Sequence, residues 1–372
     1  MDWVRGPVIG RGSTATVSLA ASRSGGEIFA VKSAKLPQSH FLRREQHFLS
    51  SITSPYIVSY RGCCISREGS RDLYNLFLEY VPGGTLSDAI RQRGNRLEDE
   101  SMIATYTRQI LLGLEYLHSI GVVHCDIKGS NILIGQSGAK IADLGCARRV
   151  AAPRHSTNKH CSRPRDHSQA PMAGTPVFMA PEVARGEEQG CAADIWSLGC
   201  TIIEMATGKS GWPNKAVGGD DPVTVLYQIA YSDQVPQIPC VLSEEAKDFL
   251  TKCLTRDPKE RWTASQLLRH PFIIKFASCG NNIIGGQDLG SVTTSPTSTL
   301  DQGIWNSVED LSQSLNQDPI LLTDCSLILP AADRRIMELS GSSVSPRWKF
   351  DEGWISVRDG GFNNSIIDAP IR

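Results

Sequence analysis

The sequence predicts an α+β chain of two unequal lobes, a small antiparallel-sheet lobe and then a larger helical lobe, followed by a mostly disordered C-terminal tail. Three observations carry that reading. Residues 3–81 hold short β-branched and aromatic runs separated by Gly, Pro and Ser turns. Within residues 82–276, Glu100–Ser119 place apolar side chains at three- and four-residue steps, and other stretches read as helices. From Ala277 to Arg372 the composition shifts to Gly, Ser, Asn, Thr and Asp, with too few long apolar runs to bury a core.

Strands are expected over Val4–Ile9, Val17–Ala21, Ile28–Ser33, Ile57–Cys63 and Leu73–Tyr80, with one helix among them from His40 to Ser51. In the second lobe, Glu100 to Ser119 carries Ile103, Tyr106, Ile110, Leu114 and Leu117 as an inward stripe. A helix beginning at Asp194 and running to about Ala206 is apolar nearly all round, the pattern of a buried core helix. Further helices are expected over Pro222–Tyr231, Glu244–Leu254 and Ala264–Leu268.

Two short runs carry the chemistry. Val123-His124-Cys125-Asp126-Ile127-Lys128-Gly129-Ser130-Asn131 is followed by Ala142-Asp143-Leu144-Gly145. A carboxylate, a lysine, an amide and a second carboxylate at this spacing suit phosphoryl transfer, where a hydroxyl must be oriented and metal ions held. Upstream, Gly10-Arg11-Gly12-Ser13-Thr14-Ala15-Thr16-Val17 reads as a hairpin over nucleotide phosphates, because glycine lets backbone amides approach phosphate closely. Lys32 closes the strand-like run Ile28–Lys32, and Glu45 on the next helix is the candidate to pair with it. Each residue has a plainer reading: Asp126 and Asp143 as turn formers, Lys32 as a surface lysine with a buried stem. The ordered set weighs against those readings. His124 reads as a packed structural histidine with no part in proton transfer.

Over residues 3–276 the chain resembles a protein serine/threonine kinase. More closely it resembles the short plant MEKK-like mitogen-activated protein kinase kinase kinases of the abscisic-acid and stress-associated group. The closer match rests on Met1-Asp2-Trp3-Val4-Arg5-Gly6 with Ile9-Gly10-Arg11-Gly12-Ser13, and on Gly174-Thr175-Pro176-Val177-Phe178-Met179-Ala180-Pro181-Glu182-Val183. The resemblance implies ATP and Mg²⁺ as cofactors, and a protein substrate that is itself a mitogen-activated protein kinase kinase. It implies a catalytic set of Asp126, Lys128, Asn131, Lys32 and Glu45, with Asn131 and Asp143 on the metal and Lys128 on the γ-phosphate. The nucleotide pocket would comprise Ile9, Gly10, Arg11, Gly12, Ser13, Val17, Ala30, Lys32, Leu78, Glu79, Val81, Leu133 and Asp143. Leu78 would be the gatekeeper, and the backbone of Glu79 and Val81 would meet the adenine edge. Lys128 and Thr175 match the pattern for a Ser/Thr hydroxyl acceptor. Glu182 would pair with Arg261, and Asp194 would hold the catalytic-loop backbone. The alternative is a catalytically weak nucleotide-binding scaffold whose tail recruits signalling partners; the complete set Lys32, Asp126, Asn131 and Asp143 argues against it.

Departures from the family pattern are informative. Ala15 stands where the third glycine of the loop falls, and Leu144 replaces a phenylalanine in the metal turn; both are expected to be tolerated. Cys125 replaces the arginine that pairs with an activation-loop phosphate in many kinases. Full activity is therefore expected without that pair, and replacing Ser156, Thr157, Ser162 and Ser168 by Ala together is expected to leave most of it. Cys146 reads as a small buried hydrophobe.

Composition narrows the setting. The chain has 372 residues and 11 cysteines, an odd number with no CxxC pair, which suggests a reducing intracellular compartment, cytoplasm or nucleus. No signal peptide, lipidation box or bilayer-spanning run is expected, and no nucleic-acid partner; the oligomeric state stays open. Net charge hides an asymmetry. Residues 277–372 hold 6 Lys+Arg against 12 Asp+Glu, whereas residues 146–179 hold 6 basic and 1 acidic. That basic loop reads either as a solvated insertion or as a dock for an acidic partner, the chain's own tail included. Within the tail, Asp318–Leu329 and Arg347–Val357, with Trp348, Phe350, Trp354 and Ile355, read as partner motifs or as segments that pack on the core. Ser295-Pro296 and Ser345-Pro346 fit minimal proline-directed phosphorylation sites.

Overall fold

A computed structural model describes residues 2–150, 173–212 and 222–277, together with the backbone of 355–357. The expectations for Ser156, Thr157, Ser162, Ser168, Ser295, Ser345, Asp318–Leu329, Trp348, Phe350 and Trp354 lie outside the described residues.

The small lobe is an antiparallel sheet of β1 (Trp3–Arg11), β2 (Thr16–Ser22), β3 (Ile28–Lys35), β4 (Tyr60–Glu68) and β5 (Arg71–Leu78). The order is β1-β2-β3-β5-β4. One helix, α1 (His40–Leu49), packs beside it, turning Leu42, Glu45, Phe48 and Leu49 inward. Period-2 alternation sorts the side chains of the sheet onto two faces. Ala30 and Lys32 of β3 face the interlobe cleft. Phe29 and Val31 face the other way and bury against Trp3, Ala20 and Phe77. There the Phe77 ring meets the edges of Trp3 and Phe29, each with centroids 5.3 Å away, a geometry aromatic quadrupoles favour.

β4 starts at Tyr60, three residues later than expected, and runs on to Glu68. Ile57 instead makes an isolated bridge to Ile141, and Val58 N donates to Ile141 O at 2.9 Å. The apolar residues that resemble a strand start are thus spent on joining the lobes.

The large lobe is built on α3 (Glu100–Ser119) and on α5, counted after α2 (Leu86–Gln92) and α4 (Pro181–Ala184), which spans Cys191–Thr207. Asp99 caps α3 by accepting from Ser101 N. The buried stripe of α3 includes Thr107 and Leu111, with Tyr106 only half-buried. That stripe is broader than expected because β8 (Gly138–Ile141), α5 and α9 (Pro271–Ala277) pack against different sides of the helix. α5 is buried along nearly its whole length. It is followed by α6 (Pro222–Tyr231), α7 (Glu244–Cys253), α8 (Ala264–Leu267) and α9. Among the described residues, no helix is long and apolar enough to cross a membrane.

Three further pairings complete the frame: β6 (Val122–Val123) pairs with β9 (Arg148–Arg149), β7 (Ile132–Gly135) with β8, and β10 (Ile355–Val357) with β1. The register of the last is Trp3↔Val357, Val4↔Ser356 and Arg5↔Ile355, which places a segment of the tail on the free edge of the sheet.

The expected Glu182–Arg261 pair is present as a two-pronged contact of 2.7 and 3.0 Å. Both side chains are almost wholly buried, and the guanidinium also lies over the Trp196 ring. Losing one partner of such a pair costs about 3–5 kcal/mol, since a buried charge is left alone.

Candidate active site

A cavity of about 220 Å³ lies between the lobes. Gly12, Ser13 and Val17 contribute from the β1–β2 hairpin, Ala30 and Lys32 from β3, and Leu78 and Glu79 from the end of β5. Asp126, Lys128, Asn131, Leu133 and Asp143 line it from the large lobe. Ile9, Gly10, Arg11 and Val81, expected in the pocket, do not line this cavity; Gly10 and Arg11 pair with Val17 and Thr16 in the ladder, and Ile9 and Val81 join the same apolar core as the lining residues Val17, Ala30, Leu78 and Leu133. The Glu79 amide is also committed, donating to Ser59 O at 2.9 Å, so only its carbonyl is open to a base edge. The Glu79 carboxylate meets Lys140 Nζ at 2.6 Å and Ser59 N at 3.1 Å.

The hairpin turn closes through Gly12 N donating to Ala15 O at 2.9 Å. Ala15 is absent from the left-handed positions, so its methyl needs no glycine there. Lys32 sits between two carboxylates, Nζ at 2.8 Å from Glu45 Oε2 and 2.9 Å from Asp143 Oδ1. Burial opposes its charge, yet Asp143 and Glu45 outweigh burial and hold the ammonium well above the usual lysine range. Burial likewise opposes ionisation of Asp143, but Lys32 overrides it and keeps the carboxyl below its ordinary value.

Asp143 has φ +65° and its side chain accepts from Gly145 N. A Cβ on Gly145 would stand 3.1 Å from Asp143 Oδ1, so glycine leaves the carboxylate its place. Leu144 is fully buried in the apolar slot expected for it, where α1 packs on the turn.

The loop carrying Asp126 hangs from α5. Asp194 accepts from His124 N and from Cys125 N, each at 2.9 Å, and contacts His118 Nε2 at 2.9 Å. Burial works against its carboxyl, but His118 and the amides hold it below the ordinary range. These bonds fix Cys125 at φ +71°, a conformation costing a non-glycine residue about 1–2 kcal/mol. Asp126 is then gripped on both oxygens: Oδ2 by Asn131 Nδ2 at 2.9 Å and Lys128 Nζ at 3.1 Å, Oδ1 by the Thr175 hydroxyl at 2.8 Å. Lys128 Nζ donates to Thr175 Oγ1 at 2.6 Å. His124 Nδ1 accepts from Asp126 N, which assigns the proton to Nε2, facing Ala142 O at 3.0 Å. Both ring nitrogens are spent on backbone, as a packed histidine requires.

Among the described residues, no group of three or more His, Cys, Asp or Glu is placed to hold a metal by itself. Asn131 spends its amide nitrogen on Asp126, which leaves the Oδ1 carbonyl as a neutral oxygen donor in the cavity that Asp143 also lines. Oxygen donors of this kind suit a hard divalent cation shared with a polyphosphate.

Sequence reasoning missed Glu204, Ser87 and Gln189. Glu204 accepts from Gly129 N at 3.1 Å and Ser87 Oγ at 2.7 Å, supporting the loop beneath Lys128; burial pushes its carboxyl up against those bonds. The available signal was a second carboxylate, after Asp194, on a largely apolar helix, where it must find partners. Phe41 and Val58, which belong to none of the quoted motifs, also line the cavity.

Fold and site together define a phosphotransferase with a nucleotide cleft between its lobes. The family model described as "Protein kinase domain" matches residues 3–273. Mitogen-activated protein kinase kinase kinase 17 of Arabidopsis thaliana is 51% identical over 312 residues, 83% of this chain and 78% of that protein. Mitogen-activated protein kinase kinase kinase 18 of the same plant is 47% identical over 371 residues, 96% of this chain and 99% of that protein. Kinase kinase kinase 20, also from that plant, is 35% identical over 367 residues, 96% of this chain and 100% of the relative. The chain belongs to the protein kinases and, within them, to the plant MEKK-like mitogen-activated protein kinase kinase kinases. It is a serine/threonine protein kinase, and use of ATP with a divalent cation goes with that family.

Proposed function

We propose that this kinase transfers the γ-phosphoryl group of ATP, bound with Mg²⁺, in line to a Ser or Thr hydroxyl of a mitogen-activated protein kinase kinase. The observation that carries the reading is the Asp126 carboxylate, fixed by Thr175, Lys128 and Asn131 at one end of the cavity that holds Lys32 and Asp143. Asp126 orients the acceptor hydroxyl and takes its proton. Lys128, beside it, steadies the transferring group. Lys32, positioned by Glu45, steadies the α- and β-phosphates, moving from Asp143 to do so. Mg²⁺ held by Asn131 and Asp143 would neutralise charge on the triphosphate. The kinase-kinase acceptor is supported by the relatives, each named as a kinase kinase kinase.

The test is transfer from labelled ATP with Mg²⁺ to a panel of catalytically inactive kinase kinases, comparing wild type with Asp126→Asn and Lys32→Met. Loss of transfer in both variants, with one acceptor preferred, is the expected result. Transfer by Asp126→Asn at the wild-type rate, or wild-type protein that binds ATP yet phosphorylates none of the panel, would sink the proposal.

A further inference from the structure

Cys125 leaves the catalytic loop with no side-chain charge at the position before Asp126. Its thiol is buried, donates to Val123 O at 3.6 Å, and is pushed far up by burial, so it stays neutral. Something else must hold the activation segment against this loop. Three consecutive residues of that segment, Ala173, Gly174 and Thr175, run along Cys125 and Asp126. Thr175 bonds Asp126 and Lys128. Gly174 adopts φ +121°, and a Cβ there would stand 2.7 Å from Cys125 O, so the two backbones touch. Gln189 supplies the remaining link: its Nε2 donates to Cys125 O and to Ala173 O, both at 3.2 Å.

Two features mark this link as more than filling. Gln189 is 4% exposed and its Oε1 is buried with no partner among the described residues. An unpaired buried amide oxygen is unfavourable, so an apolar side chain would suit the place better unless the amide nitrogen were needed. It is needed: among the described residues, neither Cys125 O nor Ala173 O accepts another hydrogen bond. Gln189 also lies five residues before Asp194, which accepts from the Cys125 amide at 2.9 Å. The two peptide groups flanking the Cys125 Cα are thus both anchored, the amide by Asp194 and the carbonyl by Gln189, from the start of α5 or just before it.

We infer that Gln189 is a positioning residue that locks Ala173–Thr175 onto the Asp126 loop through neutral hydrogen bonds, where the residue before Asp126 is a cysteine and not an arginine. The inference rests on Asp126 acting as proposed above, and it locates the determinant of segment order in one uncharged side chain. It predicts that removing the donor lowers turnover while leaving nucleotide binding alone, because Lys32, Glu45 and Asp143 do not touch Gln189.

The experiment uses the full-length kinase as wild type, Gln189→Leu and Gln189→Glu. Leucine removes the donor and the unpaired oxygen together; glutamate keeps the shape and turns acceptors toward two carbonyls. Expected for both are a kcat at least tenfold lower, nucleotide Kd within twofold of wild type, and amide hydrogen exchange at Gly174 and Thr175 at least tenfold faster. A kcat within twofold of wild type in either variant would overturn the inference. So would loss of nucleotide affinity in step with kcat, which marks general unfolding. The exchange readout does not depend on what Asp126 does, so an active Asp126→Asn would remove the mechanism above while leaving the Gln189 link to be judged separately.

Discussion

The Thr175 hydroxyl donates to Asp126 Oδ1 at 2.8 Å while accepting from Lys128 Nζ at 2.6 Å, so one side chain of the activation segment joins both charged groups of the catalytic loop. A hydrogen bond to a charged group contributes about 1.5–3 kcal/mol. Thr175→Val is therefore expected to lower kcat by roughly 10–100-fold with ATP affinity unchanged, whereas Thr175→Ser keeps most of the activity. Steady-state kinetics with a protein acceptor decide it; a valine variant as fast as wild type removes the role.

Lys32 is shared almost equally between Glu45 and Asp143. Glu45→Ala leaves Asp143 as its sole ionic partner, and the ammonium is expected to collapse onto the residue assigned to the metal. ATP affinity should weaken by about tenfold, equivalent to about 1.4 kcal/mol. Calorimetric titration of the variant with ATP and Mg²⁺ gives the number directly, and an unchanged Kd would show that the pair is ornamental for binding.

Asp194 gives a signed pH dependence. Its carboxyl lies below the ordinary value of 3.8 because His118 and the loop amides outweigh the burial that opposes ionisation. The unfolded chain takes up the proton first as pH falls. The associated stability is therefore full above about pH 5 and is lost as pH falls through the native value. Asp194→Asn should melt at a lower temperature at pH 7, by an amount corresponding to about 3 kcal/mol, and the gap to wild type should narrow toward pH 3. A gap independent of pH would assign the effect to packing alone.

Cys146 borders the nucleotide cavity, but burial pushes its thiol up to about 12, helped by Asp126 and Asp143. The thiolate is the reactive form. Alkylation at pH 7.5 should reach exposed Cys240 well before Cys146, as read by peptide mass spectrometry. Preferential labelling of Cys146 would show an activated thiol.

The meeting of the residues assigned to catalysis was legible because their relations are local. Asp126, Lys128 and Asn131 sit within one turn-rich loop, and Asp143 follows on the next short hairpin, so spacing alone encodes their meeting. Lys32 and Glu45 needed only a strand followed by a helix. Residues that act across the fold left no such trace. Gln189 reaches Cys125 over 64 positions and Glu204 reaches Gly129 over 75, distances at which no period connects them. Short elements were lost for a related reason. α2 spans seven residues and is announced only by the capping box of Thr85 and Asp88, and α9 only by Pro271 at its start. The start of β4 was misplaced because Ile57 and Val58 have strand chemistry but serve the interlobe contact.

The pairing of β10 with β1 bears on colloidal behaviour. With order β10-β1-β2, removing the tail strand would turn Trp3–Arg5 into an open edge, with backbone groups free to template another chain. A catalytic fragment ending at Ala277 should therefore self-associate more than the full chain at equal concentration, as light scattering would show. Equal scattering would mean that the edge is protected by other means. The last strand, paired with β1 at the edge of the sheet, then works as a cover against sticking: a solubility device carried by the same polypeptide as the enzyme.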